Sequence, residues 1–187
     1  MRMKSTFGLV GMVGLLAVCA LPACGSDAPG ATTPASAEKA SGGGDGKGIK
    51  QGDKAPQFAM DSMNGAGKMT IAPGKVTIVD FWATWCEPCK KSFPKLQELY
   101  VKYKSNGLEI VAVSVDDEKN GITDFAKTHG AKFPVGWDDG KKLAEKWKPE
   151  NMPSSYIVGK DGTVKFIHRG YHDGEENEVE KELKSLF

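Results

Sequence analysis

The stretch Val79-Asp80-Phe81-Trp82-Ala83-Thr84-Trp85-Cys86-Glu87-Pro88-Cys89-Lys90-Lys91-Ser92-Phe93-Pro94 joins two different periodicities. Its first residues close the apolar, β-branched run from Val76 to Trp82, which suits a buried central strand. Beyond it, Cys89, Phe93, Leu96, Tyr100 and Tyr103 fall on one helical face. Two thiols therefore sit where a strand hands over to a helix. Such a pair can cycle through a disulfide, bind a metal, carry haem or staple a fold.

Position decides among these uses. At a helix N-terminus the free N–H groups and the dipole favour an anion, so the Cys86 thiol should ionise more easily than a free one. Cys89 lies one turn on, on the same face and close enough to bond to it. The geometry suits an exposed attacking thiol, Cys86, and a resolving thiol, Cys89. Pro88, early in the helix, costs no hydrogen bond and pre-sets φ. Glu87 opposes ionisation of Cys86, and Lys90 and Lys91 partly offset it. Covalent haem needs Cys-x-x-Cys-His, and Lys90 stands where that histidine belongs. A structural zinc needs four ligands; two thiols and three scattered histidines do not supply them, so no metal or other cofactor is expected.

Outward from the pair, the chain reads as one α/β domain. Segments 57–61 and 68–71 flank Asn64-Gly65-Ala66-Gly67 as a hairpin. Leu108 to Val115 is a second buried strand after Gly107, and Ile122, Phe125, Ala126 and His129 mark a helix closed by Gly130. A short strand near 133–137, a short helix around Leu143 and Trp147, a hairpin about Lys160-Asp161-Gly162 and a closing helix with Val179, Leu183 and Leu186 follow. His129, His168 and His172 read as surface or capping residues.

The N-terminal part is of another kind. Arg2 and Lys4 precede an uncharged run, Phe7 to Leu21, of 15 residues. That is a secretory signal by pattern and shorter than the roughly 20 residues of a membrane-spanning helix. Leu21-Pro22-Ala23-Cys24 resembles the lipobox of bacterial lipoproteins, with Pro22 an unusual occupant; ordinary cleavage leaving Cys24 free is the alternative. Residues 1–23 are thus read as a lipoprotein-type signal peptide. Residues 24–52 are the lipidated Cys24 and a flexible Gly/Ala/Ser/Pro linker whose ends would sit roughly 30 Å apart. Residues 53–187 form the folded domain. With Cys19 removed and Cys24 acylated, Cys86 and Cys89 are the remaining thiols, and a loop so small constrains little of the unfolded chain. The pair is there for reactivity. Charge is balanced, 25 Lys+Arg against 24 Asp+Glu, so nothing points to a nucleic-acid partner.

The segment 79–94 resembles the active-site region of thioredoxin-like proteins, and more narrowly the TlpA/ResA family of membrane-tethered, extracytoplasmic thiol–disulfide oxidoreductases. The resemblance runs from Asp53 to the C-terminus and includes Ala55-Pro56-Gln57-Phe58. It implies a thioredoxin-like fold: a central mixed sheet flanked by helices, with an N-terminal hairpin and an inserted helix near Ile122. It implies protein-disulfide reduction by the Cys86/Cys89 pair, supported by Trp85, Glu87, Pro88 and Pro153. Pro153 matches the family's cis-proline loop, Pro94 the kink of the active-site helix. Met152, before that proline, would pair by backbone with the substrate chain, beside Trp85. Asp80 matches the buried carboxylate of thioredoxin, which through water would take a proton from Cys89; a paired structural aspartate is the alternative. ResA-like members carry a glutamate at the position of Ser92, so the thiols here are expected to be tuned the thioredoxin way.

The implied partners are disulfide-bearing proteins such as apocytochrome c or copper-site proteins, a membrane thiol-transfer electron donor, and the membrane itself through the lipid anchor. The protein is expected to be a monomer, anchored as a lipoprotein facing the periplasm or extracytoplasmic space. Two rivals are kept. A peroxiredoxin-like peroxidase would want proline at position 79, which is Val79. A copper-delivery module would space its cysteines by three residues and add a distal histidine.

Overall fold

The computed structural model describes residues 48–187; the expected signal peptide, Cys19, Cys24 and most of the expected linker lie outside the described residues. Seven strands and four α-helices are present among them. Strands β1 (Ala59–Asp61) and β2 (Lys68–Thr70) form an antiparallel hairpin. Then come β3 (Val76–Trp82), α1 (Glu87–Tyr103), β4 (Leu108–Ser114), α2 (Ile122–Thr128), β5 (Val135–Trp137), α3 (Lys142–Trp147), β6 (Ser154–Val158), β7 (Val164–Arg169) and α4 (Glu175–Leu186). The main sheet has the order β5-β4-β3-β6-β7. Strands β3, β4 and β5 run parallel, whereas β6 is antiparallel to β3 and to β7.

The continuous apolar run of β3 follows from its central place. All seven of its residues are buried, so alternation with polar residues has no face to serve. The two faces nevertheless have different neighbours. Phe81 packs against Trp147 and Tyr156, whose ring centroids lie 5.7 and 5.9 Å away. Trp82 packs against Phe93 of α1 and Phe125 of α2 at 4.6 and 4.5 Å. Asp80, two residues before Trp82, shares the face that α1 covers.

Helix α1 buries the stripe Cys89, Phe93, Leu96, Tyr100 and Tyr103, as its spacing predicts, and carries Pro94 inside. It runs into a short 3₁₀ turn and ends at Gly107, whose φ of 96° needs a residue without Cβ. Helix α4 closes over α1: the Tyr103 hydroxyl donates to Glu180 at 2.7 Å, and the Tyr103 ring stacks on Phe187.

Composition puts the start of the domain at Asp53, and the chain joins the fold earlier. Ile49 N donates to Trp147 O at 3.2 Å, and its side chain packs on the core. Gly52 N donates to Val164 O and Val164 N to Asp53 O, at 2.8 and 2.9 Å. Residues 49–55 therefore form a strap along the end of α3 and the start of β7. No helix among the described residues is long and apolar enough to cross a membrane.

Candidate active site

The end of β3 and the start of α1 place both thiols. Residues 83–85 turn the chain, with Cys86 N donating to Ala83 O at 3.1 Å. Cys86 is the N-cap of α1, and its Sγ accepts from Cys89 N at 3.2 Å. That bond satisfies one of the free N–H groups of the first turn. Cys86 and Cys89 are joined by a disulfide, with Cα atoms 5.3 Å apart. Pro88 sits in the first turn, where its missing N–H costs nothing.

The turn is held from below by Asp116, a buried residue just beyond β4. Its carboxylate accepts from Thr84 N at 3.0 Å, Thr84 Oγ1 at 2.7 Å and Ser114 Oγ at 2.6 Å. Asp116→Ala leaves three polar groups without this partner, and a net cost of about 2 kcal/mol is expected. The midpoint of urea unfolding measures it; an unchanged midpoint would mean water replaces the carboxylate at no cost.

Cys86 is less exposed than its placement at a helix end predicts. It is 3% exposed and Cys89 is fully buried. Residues remote in sequence meet it here: Glu150, Asn151 and Met152 line the same depression as Trp85, Cys86, Glu87 and Pro88. Trp85 stands out from this rim, 69% exposed. The Met152–Pro153 peptide is cis, and the loop is pinned by Gly170 N to Pro153 O at 2.7 Å and Ser154 Oγ to Asn151 O at 2.6 Å. Glu87 pairs with Lys90 at 2.6 Å. That hydrogen bond, with the charges of Lys90 and Lys91, holds its carboxyl below the usual range, so its charge is already matched by lysine.

Asp80 lies fully buried beneath this helix. Its Oδ1 accepts from Ser155 Oγ at 2.6 Å, and Oδ2 has no partner. Loss of water raises its pKa, the Ser155 bond lowers it, and the charge of Glu175 raises it again, to about 7. A carboxylate there is poised to exchange a proton near neutral pH.

For this region sequence reasoning singled out Cys86, Cys89, Asp80, Trp85, Glu87, Pro88, Met152 and Pro153. The structure gathers Trp85, both cysteines, Met152 and Pro153 about the start of α1, with Asp80 under it. Ser155, Asp116 and Glu175 were missed. Glu175 did leave a trace: it is spaced by four from Val179 and by eight from Leu183, on the buried stripe of α4. His168, read as a surface or capping residue, is instead enclosed between Glu175 (3.2 Å) and Glu182 (2.7 Å).

Known proteins resemble this chain along most of the described domain. The AhpC/TSA family matches residues 51–167. The thiol–disulfide oxidoreductase ResA of Bacillus subtilis (strain 168) is 35% identical over 123 residues, covering 65% of this chain and 69% of ResA. ResA of Bacillus thuringiensis subsp. konkukian is 34% identical over 136 residues, 72% of this chain and 78% of its own. Among solved structures, a candidate thiol:disulfide interchange protein DsbE from Chlorobium tepidum superimposes with a TM-score of 0.69 at 30% identity, over 74% of this chain and 98% of that one. StoA from Bacillus subtilis, at 24% identity and a TM-score of 0.59 over 68% of this chain and 96% of its own, shares the fold.

Proposed function

Because this chain belongs to the AhpC/TSA family and is a thiol–disulfide oxidoreductase of the ResA-like, thioredoxin-fold kind, we propose that Cys86 is its nucleophile and Cys89 its resolving thiol. The supporting observation is the Cys86–Cys89 disulfide at the first turn of α1, opposite the loop of Met152 and Pro153.

In the reducing direction the Cys86 thiolate attacks one sulfur of a substrate disulfide. A mixed disulfide forms, and one substrate thiolate leaves and takes up a proton. Cys89 then gives its proton to Asp80 through water and attacks Cys86 Sγ. The second substrate thiolate leaves, and the pair ends oxidised by two electrons. The N-terminal position lowers the cost of the Cys86 thiolate. Asp80 serves as the base for the buried Cys89. Trp85, Glu87 and Pro88 shape one wall of the depression, and the backbone of Met152 pairs with the substrate chain on the other.

The substrates we propose are proteins outside the cytoplasm, such as apocytochrome c or copper-site proteins with paired cysteines. A membrane thiol-transfer protein returns the electrons. The supporting features are the signal-like residues 1–23 and the lipobox-like Cys24. A monomer suits this role, since one chain carries both thiols and both walls.

Reduction of insulin disulfides tests the reading. The reduced full chain should precipitate the insulin B chain in catalytic amounts with a thiol donor present. Peroxide consumption or Cu(I) binding, with no insulin reduction, would transfer the assignment to the peroxidase or the copper module.

A further inference from the structure

Asp80, Ser155 and His168 are successive partners across three strands: Asp80 faces Ser155 between β3 and β6, and Ser155 faces His168 between β6 and β7. Partners in register present their side chains on one face of the sheet, here the face under α1 and α4. Ser155 and His168 of this row also line a cavity of about 30 Å³, together with Ser92, Pro153 and Glu175. That is room for a water. Glu175, from the first turn of α4, is only 8% exposed.

The ring of His168 holds this glutamate in place. Its Nδ1 is 3.2 Å from Glu175 and its Nε2 2.7 Å from Glu182. Burial lowers the pKa of this imidazole, and the hydrogen bonds and charges of both glutamates outweigh burial and raise it. The two carboxylates sit on opposite ring nitrogens, so they do not converge on one metal position. Two carboxyl groups face one imidazole, so the cluster can carry at most one positive charge against two negative ones, on the face that Asp80 shares. The other groups around the cavity do not cancel it. Lys95 of α1 is turned to Glu98 and Glu176, at 3.4 and 3.9 Å, and the Tyr171 hydroxyl donates to Glu176. From β6 the row receives only the neutral Ser155.

We infer that Glu175, clamped by His168, is a positioning residue for disulfide exchange, setting with Ser155 the pH at which Asp80 takes the proton of Cys89. This rests on Asp80 as the base proposed above. The proton balance is simple. The Cys89 thiol loses a proton, and Asp80 gains it. Asp80 then donates to Ser155 Oγ, while the serine releases its own proton to water in the cavity and so to solvent. Glu175 holds the proton on Asp80 by its charge; the Ser155 hydroxyl, donating to the carboxylate, eases its release. The two residues therefore push in opposite directions.

Mixing the reduced full chain with a chromogenic aromatic disulfide separates the steps. The first released thiolate reports attack by Cys86, and the second reports resolution by Cys89. The rate of the second phase should rise with pH through the ionisation of Asp80. Glu175→Gln, which keeps shape and removes charge, should move that midpoint down by about half a pH unit or more. Ser155→Ala should move it up, and Ser155→Thr, which restores a hydroxyl, should return it. A merely structural role would not give shifts of opposite sign. The inference is overturned if Glu175→Gln leaves the midpoint in place or shifts it the same way as Ser155→Ala. If Asp80→Asn abolishes the pH dependence while Glu175→Gln is silent, this inference alone falls. If Asp80→Asn leaves the second phase unchanged, the reading of Asp80 as base falls and takes the inference with it.

Discussion

Cys86→Ser should abolish insulin reduction, lowering the rate by about a thousandfold or more, the scale on which loss of a covalent nucleophile is felt. A serine hydroxyl at the α1 N-cap keeps the bond from the N–H of residue 89 and so keeps the helix start. At neutral pH it supplies no anion, since the dipole cannot lower a hydroxyl pKa far enough. Cys89→Ser should behave differently. Attack by Cys86 proceeds, the mixed disulfide is not resolved, and the substrate stays covalently bound. Non-reducing gel electrophoresis then shows an adduct with Cys89→Ser and none with Cys86→Ser. An adduct with Cys86→Ser, or unaltered turnover, would reverse the roles given to the two thiols.

Asp80→Asn should stabilise the oxidised protein at pH 8 and slow the resolving step. The Asp80 carboxyl titrates at about 7 in the fold, against 3.8 for an ordinary aspartate, burial being the main cause. Between these values the folded protein holds a proton that the unfolded chain has released. Stability therefore falls as pH rises from about 4 to about 7, and is level above that. A shift of about three pH units corresponds to roughly 4 kcal/mol at most. The asparagine variant has no such slope, so its advantage is absent at pH 4 and full at pH 8. Urea unfolding at several pH values measures it; a wild-type slope in the variant would show that Asp80 ionises in the fold without cost. The same change should slow resolution by about a hundredfold near neutral pH, at the low end for loss of a general base.

Much of this molecule can be read from its residues because the decisive signals are local. The run Val76–Trp82 and the stripe Cys89, Phe93, Leu96, Tyr100 and Tyr103 name β3 and α1 without further help. The match of Asp80 to a buried carboxylate is likewise carried within a few residues of the cysteines. What escaped depends on register or on distant neighbours. Ser155 reaches Asp80 across 75 residues of sequence, and only the pairing of β3 with β6 makes them partners. Cys86 shares a depression with Glu150, Asn151 and Met152, so the make-up of its surroundings depends on loop placement. His168 looked peripheral because the glutamates enclosing it belong to a helix that packs back after a turn. The Gly-rich composition around residues 48–52 concealed the strap, whose attachment is made by backbone hydrogen bonds that composition does not record.

That strap has a mechanical meaning. Tension applied to the chain from its N-terminal side reaches Ile49 first, then Gly52, Asp53 and Ala55, each joined to the body by one or two hydrogen bonds. These bonds are loaded in turn, as in peeling, and give way singly before force reaches β3. The central strand, by contrast, is laced on both sides to β4 and β6 and would have to be sheared. A protein held by its N-terminal end can therefore lengthen by several residues under load while the strand and helix that carry Cys86 and Cys89 stay assembled.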